Sequence, residues 1–232
     1  MTLGKDEANM VAMGLLIAAL FIAGFNSYQL SGVGKAGVTG NIVNTNTLAT
    51  PAAAATQTIS FSVSPTGVPA IYGTELGVSF DDVTPANPQK TEATIAILGK
   101  LDDSITLTAE QKARYITILY TMENGIACEY CCGARSVIFE TGEAACGCAH
   151  SYAMRGVTKY LLTEHPAEYT DAQILEEVGK WKTLFFPGIL AQKAQVLQQK
   201  GVELNYINIA SNKYRGIENQ AATGTGAMVG GC

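Results

Sequence analysis

Charge is what this chain carries least of. Asp, Glu, Lys and Arg make up 15% of its 232 residues, against about 25% in ordinary soluble domains. The formal net charge is −5. No basic stretch with interleaved aromatics occurs, so the electrostatic footprint of nucleic-acid binding is missing. Missing too are the short motifs of common nucleotide and metalloprotease sites: a GxGxxG after a strand, a Walker loop, an HExxH pair. Histidine occurs twice and tryptophan once. The carboxylate pairs Asp102-Asp103 and Glu176-Glu177 read as solvated helix ends and faces. What the chain does have is cysteine. Five of its six cysteines stand between Cys128 and Met154, in CEYCCGARSVIFETGEAACGCAHSYAM, with one of the two histidines. Folding alone does not require them as staples. About 170 residues remain beyond an N-terminal anchor and linker, and a 150-residue domain buries about 68–70% of its unfolded surface.

Residues 1–30 read as an N-terminal anchor. Met10 to Phe25, MVAMGLLIAALFIAGF, carries no charge. Extended to Leu30 it reaches the roughly 20 residues that a bilayer span needs. A transmembrane helix is the first reading. A cleaved signal peptide, a pilin-like assembly helix packed in a filament core, and a buried soluble helix are the alternatives. Lys5 and Lys35 nearly balance, so orientation is weakly specified. Residues 31–57 are small, polar and nearly uncharged, with no helical or strand period. Such a stretch cannot bury enough apolar surface to offset its ordering entropy, and it reads as a flexible linker or surface stalk. Residues 58–218 are expected to form a helical Cys-rich domain, and 219–232 a Gly-rich tail ending on Cys232.

Within the domain, TISFSV at 58–63 and LNYINI at 204–209 have strand composition. Asn87-Pro88 is a helix start, with Asn as cap and Pro at the first helical position. That helix runs to about Leu101. Thr108 opens a second, with Glu110 and Gln111 placed to supply capping-box chemistry. A helix from Ala149 to Glu164 is stopped by His165-Pro166. Thr170, with Gln173, caps the next, which leads into Trp181, Leu184, Phe185 and Phe186. A last helix runs from Gly188 to about Lys200 and closes on Gly201. His165 reads as a surface C-cap residue. Lys180-Trp181-Lys182 reads as a tryptophan anchoring the core, with a membrane-surface contact as the alternative. The expected fold class is mainly α with one small β-hairpin.

The hairpin belongs to the cysteine stretch. Its spacing is Cys128-x2-Cys131-Cys132, then Cys146-x-Cys148-x-His150. Ser136 to Phe139 is a short strand signal and Thr141-Gly142 a turn signal, so the two clusters are brought side by side. Thiolates and imidazole are the ligands of zinc, copper(I) and iron–sulfur clusters. Cys128, Cys131, Cys132, Cys146, Cys148 and His150 are the candidate metal ligands, with Met154 one turn beyond His150 on the same helix face. Zinc or copper fits best, and an iron–sulfur cluster is also compatible. Six soft donors exceed the four of a tetrahedral ion, which leaves room for copper, a cluster, or one metal site plus a disulfide. The loop of dinuclear copper electron-transfer sites is excluded, because Ala134 to Phe139 stands where its His and Met belong. In an oxidising compartment six cysteines can instead form three disulfides. A reactive thiol pair is the third possibility. Cys232 can fold back onto the site, cross-link two chains or be a modified terminus; it has no C-a-a-X context.

The runs ELGVSFDD, CEYCCG, ACGCAHSYAMRG, KYLL, ILEEVGKWKTLFFPG and ELNYINIASNKYRGI resemble a family of archaeal membrane-anchored Cys-rich proteins with no assigned activity. More loosely, Cys146-Gly147-Cys148 followed by helices is similar to the bacterial PCYCGC-motif lipoproteins, extracytoplasmic proteins linked to metal handling. The preceding Pro-Cys-Tyr of that motif is replaced here by Glu143-Ala144-Ala145. Together these features lead to the expectation of a membrane-anchored extracytoplasmic soft-metal-binding protein. A disulfide-stapled cell-surface or filament subunit, homo-oligomeric through its apolar N-terminus, and a thiol oxidoreductase are the alternatives. The membrane is the expected partner, and nucleic acid is not.

Overall fold

A computed structural model describes residues 63–129, 133–220 and 228–230. All of them lie in the second of two units, Thr58–Cys232. The expected anchor, the linker and most of the expected strand at 58–63 fall outside the described residues. Among the described residues no helix is long and apolar enough to cross a membrane.

Seven α-helices are described: α1 (Tyr72–Leu76), α2 (Pro88–Ser104), α3 (Ala109–Ile116), α4 (Ala149–Glu164), α5 (Asp171–Phe185), α6 (Pro187–Gln199) and α7 (Tyr206–Ala210). The starts follow local chemistry. The Asn87 side chain accepts from the Lys90 amide at the head of α2. Thr108 and Gln111 form a reciprocal capping box on α3, as do Thr170 and Gln173 on α5, so orphan first-turn donors are satisfied at both. The α4 helix ends on His165, one residue before Pro166.

The centre of the fold is α4, whose buried residues include Ala153, Met154, Val157, Leu161 and Leu162. Its most extensive packing is against α2, and it also touches α3 and α5. Gly156 makes the crossing with α2 possible: a Cβ there would overlap the Leu98 carbonyl oxygen. On α5, Trp181 is fully buried. Its indole N–H donates to the Tyr72 hydroxyl at 2.8 Å, and that hydroxyl donates to Glu177 at 2.9 Å.

The domain is mainly helical, as expected, but several expectations need correcting. No β-hairpin forms. Residues 137–145 close through a single isolated bridge, Ile138 to Ala144. The Phe139 amide donates to the Glu143 carbonyl and the Ala145 amide to the Val137 carbonyl across the turn, and the pairing goes no further: the Val137 amide donates to the Ile126 carbonyl, and Arg155 donates to the carbonyls of Val137 and Cys146. The strand expected at 204–209 is largely helix α7, because the Asn205 side chain caps it through the Asn208 amide. Asp102 is no solvated helix end. It is buried, bonded to the Arg155 guanidinium at 2.6 Å and to the Lys159 ammonium at 2.8 Å. His165 does cap α4, but it is buried, with Nε2 2.8 Å from Glu75. In Lys180-Trp181-Lys182 the tryptophan anchors the core as expected, and Lys182 beside it is fully buried as well, paired with Glu129.

Candidate metal centre

Two stretches of backbone deliver the donors. The first leaves α3 through a π turn, Thr117–Thr121, and a 3₁₀ turn, Met122–Asn124. Gly125 then turns with φ +84, where a Cβ would lie 2.9 Å from the carbonyl oxygens of Leu119 and Tyr120. The chain dives inward, and Ile126, Ala127 and Cys128 are all buried. The second is the loop leading into α4. Arg155, fully buried, holds the Cys146 carbonyl at 2.8 Å and the Val137 carbonyl at 3.2 Å. It thereby fixes the approach to Cys148, the N-cap of α4.

Cys128, Cys148 and His150 meet. One ligand atom from each lies within 4.8 Å of the others, and all three residues are buried. The sulfurs of Cys128 and Cys148 are 3.1 Å apart. That is well beyond the ~2.05 Å of a disulfide bond. No disulfide joins any two of the described cysteines. The Cys148 sulfur accepts from the Ser151 amide at 3.4 Å and is hydrogen-bonded to the Ser151 hydroxyl at 3.3 Å.

The two thiols are polarised in opposite directions. The hydrogen bond from Cys128 holds Cys148 far below the usual thiol range. Burial opposes this, and the nearby His150 ring and then Ser151 add to it. The same hydrogen bond, then burial, pushes Cys128 well above that range. The opposed shifts make Cys148 the more acidic of the two thiols, and its sulfur sits at the positive end of the α4 dipole, which favours the thiolate there.

His150 supplies the third donor. Its ring is fully buried between Phe185 and Phe186, with centroids 4.8 and 5.1 Å away. Nε2 lies 2.8 Å from the Val229 carbonyl oxygen. A carbonyl only accepts, so Nε2 carries the hydrogen and Nδ1 is the nitrogen left to offer a lone pair. Nδ1 is itself buried and has no hydrogen-bond partner. An imidazole with one nitrogen tied to a backbone carbonyl and the other left bare is the usual arrangement of a metal-ligating histidine.

Of the six residues expected to bind metal, these three are brought together. Cys146 is buried and lies outside the three-donor group. Cys131 and Cys132 fall outside the described residues, as does Cys232. Met154 is buried on the same helix. The Val229 carbonyl that orients His150 was not anticipated, since a main-chain acceptor 79 residues away leaves no mark in the sequence. Comparison with protein-family models, with curated proteins and with solved structures returns no match to this chain.

Proposed function

We propose that the chain binds one soft metal ion, zinc or copper(I), through Cys128 Sγ, Cys148 Sγ and His150 Nδ1, for storage, delivery or structural support. The observation that carries this reading is a buried histidine with its Nδ1 unpartnered and a ring nitrogen within 4.8 Å of two cysteine sulfurs. A buried polar atom without a partner costs about 1–3 kcal/mol, and a metal ion removes that cost. Two thiolates on tetrahedral zinc sit about 3.7 Å apart for Zn–S near 2.3 Å, so loading opens the sulfur pair by roughly half an ångström. Three protein ligands leave one tetrahedral position. Cys131 and Cys132, three and four residues beyond Cys128, are our candidates for it. We place the domain on the outer face of a membrane, anchored through residues 10–30. The support for that placement is the uncharged run and the low-charge linker behind it.

A second reading rests on the same 3.1 Å approach and the opposed thiol acidities: Cys128 and Cys148 as a dithiol that reduces a partner's disulfide by thiol–disulfide exchange, its own S–S bond forming as the partner's S–S breaks and takes up the two electrons and two protons as two thiols. One experiment separates the two. The purified full chain, in detergent and without added metal, is analysed by elemental analysis and native mass. The metal reading expects one zinc or copper per chain, lost in Cys128→Ser, Cys148→Ser and His150→Ala. A metal-free chain lacking two hydrogens, with Cys128 and Cys148 joined, sinks it in favour of the dithiol.

A further inference from the structure

Residues Met228–Gly230 run back across the first turn of α4. The Val229 amide donates to the Phe185 carbonyl at 2.9 Å, and the Val229 carbonyl accepts from His150 Nε2–H at 2.8 Å. The Val229 side chain is buried in the main core. Gly230 follows with φ +85, and a Cβ there would lie 2.6 Å from Ile95 Cδ1 and 3.3 Å from His150 Nε2. Only glycine adopts that backbone readily and lets the chain pass so close to the ring. The segment is therefore seated by main-chain bonds, by an apolar side chain and by a glycine, all within three residues.

These contacts bear on one ring. The pair Phe185 and Phe186 sets the plane of His150, but apolar rings cannot choose which nitrogen faces which way. The Val229 carbonyl makes that choice, since it accepts only from a protonated nitrogen and so leaves the lone pair on Nδ1, the unpartnered nitrogen of a ring that lies within reach of the Cys128 and Cys148 sulfurs.

We propose that Met228–Gly230 is a strap whose positioning residue, Val229, presents His150 Nδ1 to the metal, so that tail docking and metal binding are coupled. This rests on the metal reading of the Cys128–Cys148–His150 site. Coupling is reciprocal: a docked tail raises metal affinity, and bound metal holds the tail down by the same factor. Loss of such an outer-shell partner typically lowers metal affinity by about 10- to 100-fold.

The test is a zinc competition titration of four full-length or shortened proteins, together with NMR detection of the His150 Hε2 proton in the metal-free state. The proteins are the native chain, Gly230→Val, a chain ended after Gln220, and Cys232→Ser. The shortened chain removes the strap without forcing a side chain into the core. Expected is a slowly exchanging Hε2 proton in the native chain and in Cys232→Ser, lost in the other two, with zinc affinity lower by about 10- to 100-fold in those two. Equal zinc affinity in the native chain, Gly230→Val and the shortened chain overturns the coupling while the metal reading stands. A loss in Cys232→Ser as large as in the shortened chain, with none in Gly230→Val, also overturns it, because the tail then acts through its thiol. No zinc binding by the native chain overturns the metal reading, and the coupling with it.

Discussion

Replacing Lys193 by methionine should raise stability at pH 6 and have little effect at pH 9. Lys193 is almost fully buried, and its ammonium donates to the Ser211 carbonyl at 2.8 Å. The nearest carboxylate chemistry, Glu129, is already engaged by Lys182. Burial pushes the Lys193 ammonium down from 10.5 to about 7, with the Lys182 and Arg215 charges adding and Glu129 opposing. The folded value lies below the unfolded one, so the unfolded chain binds the extra proton between the two and stability rises with pH across that window. Below about pH 7 the penalty is fully expressed. At about 1.36 kcal/mol per pH unit, the gap is worth on the order of 5 kcal/mol. Lys193→Met removes it and leaves the Ser211 carbonyl without its donor, at about 1–3 kcal/mol. The variant should therefore be more stable by about 2–4 kcal/mol at pH 6. That advantage should shrink by about 1.4 kcal/mol per unit above pH 7 and vanish near pH 9. Reversible urea unfolding of both chains, under reductant at pH 6, 7, 8 and 9, measures it. Parallel stability curves would refute the reasoning, because they would mean that Lys193 titrates alike in the folded and unfolded chains.

Two further predictions address the fold and the cap. Gly156→Ala places a methyl against the Leu98 carbonyl at the α2–α4 crossing and should cost at least the ~1–3 kcal/mol of an overpacked core, seen as a lower thermal midpoint; an unchanged midpoint would mean the helices separate freely. With all chains stripped of metal by a chelator, Cys148→Ser keeps a capping side chain on α4 and should stay within about 0.5 kcal/mol of the native stability, whereas Cys148→Ala should lose about 0.5–2 kcal/mol. Both should lose metal, as judged by elemental analysis, so equal stabilities for the two would deny the cap.

What could be read from the sequence was local. Asn87-Pro88, Thr108 with Gln111, and Thr170 with Gln173 act within one turn of themselves, and each marks a helix start that the structure contains. The approach of Cys128 to Cys148 was legible from the turn residues between them, although the turn closes without strands. What failed was long-range. Asp102 meets Arg155 across 53 residues, and nothing near either position signals that an aspartate at a helix end goes inside. Composition at 204–209 spoke for a strand, but the Asn205 cap outweighed it, as did the seat where Gly179 lets the Tyr206 carbonyl approach α5 closely. The choice of Cys148 over Cys146 within CGC depends on which residue becomes the N-cap of α4, and spacing alone does not say.

That N-cap joins the fold to the chemistry. Helices are capped by Ser, Thr, Asp or Asn because an acceptor must meet the free amides of the first turn. A neutral thiol accepts weakly, so a cysteine in that position caps well only when it is ionised. Here the helix dipole and the Cys128 hydrogen bond both favour the Cys148 thiolate. The sulfur in turn receives the Ser151 amide. Closing a disulfide to Cys128 would discharge that sulfur and weaken the cap on the central helix of the domain. A metal ion takes one lone pair and leaves the others to go on accepting from Ser151. The cap of α4 therefore sides with the metal reading, independently of the bare nitrogen of His150.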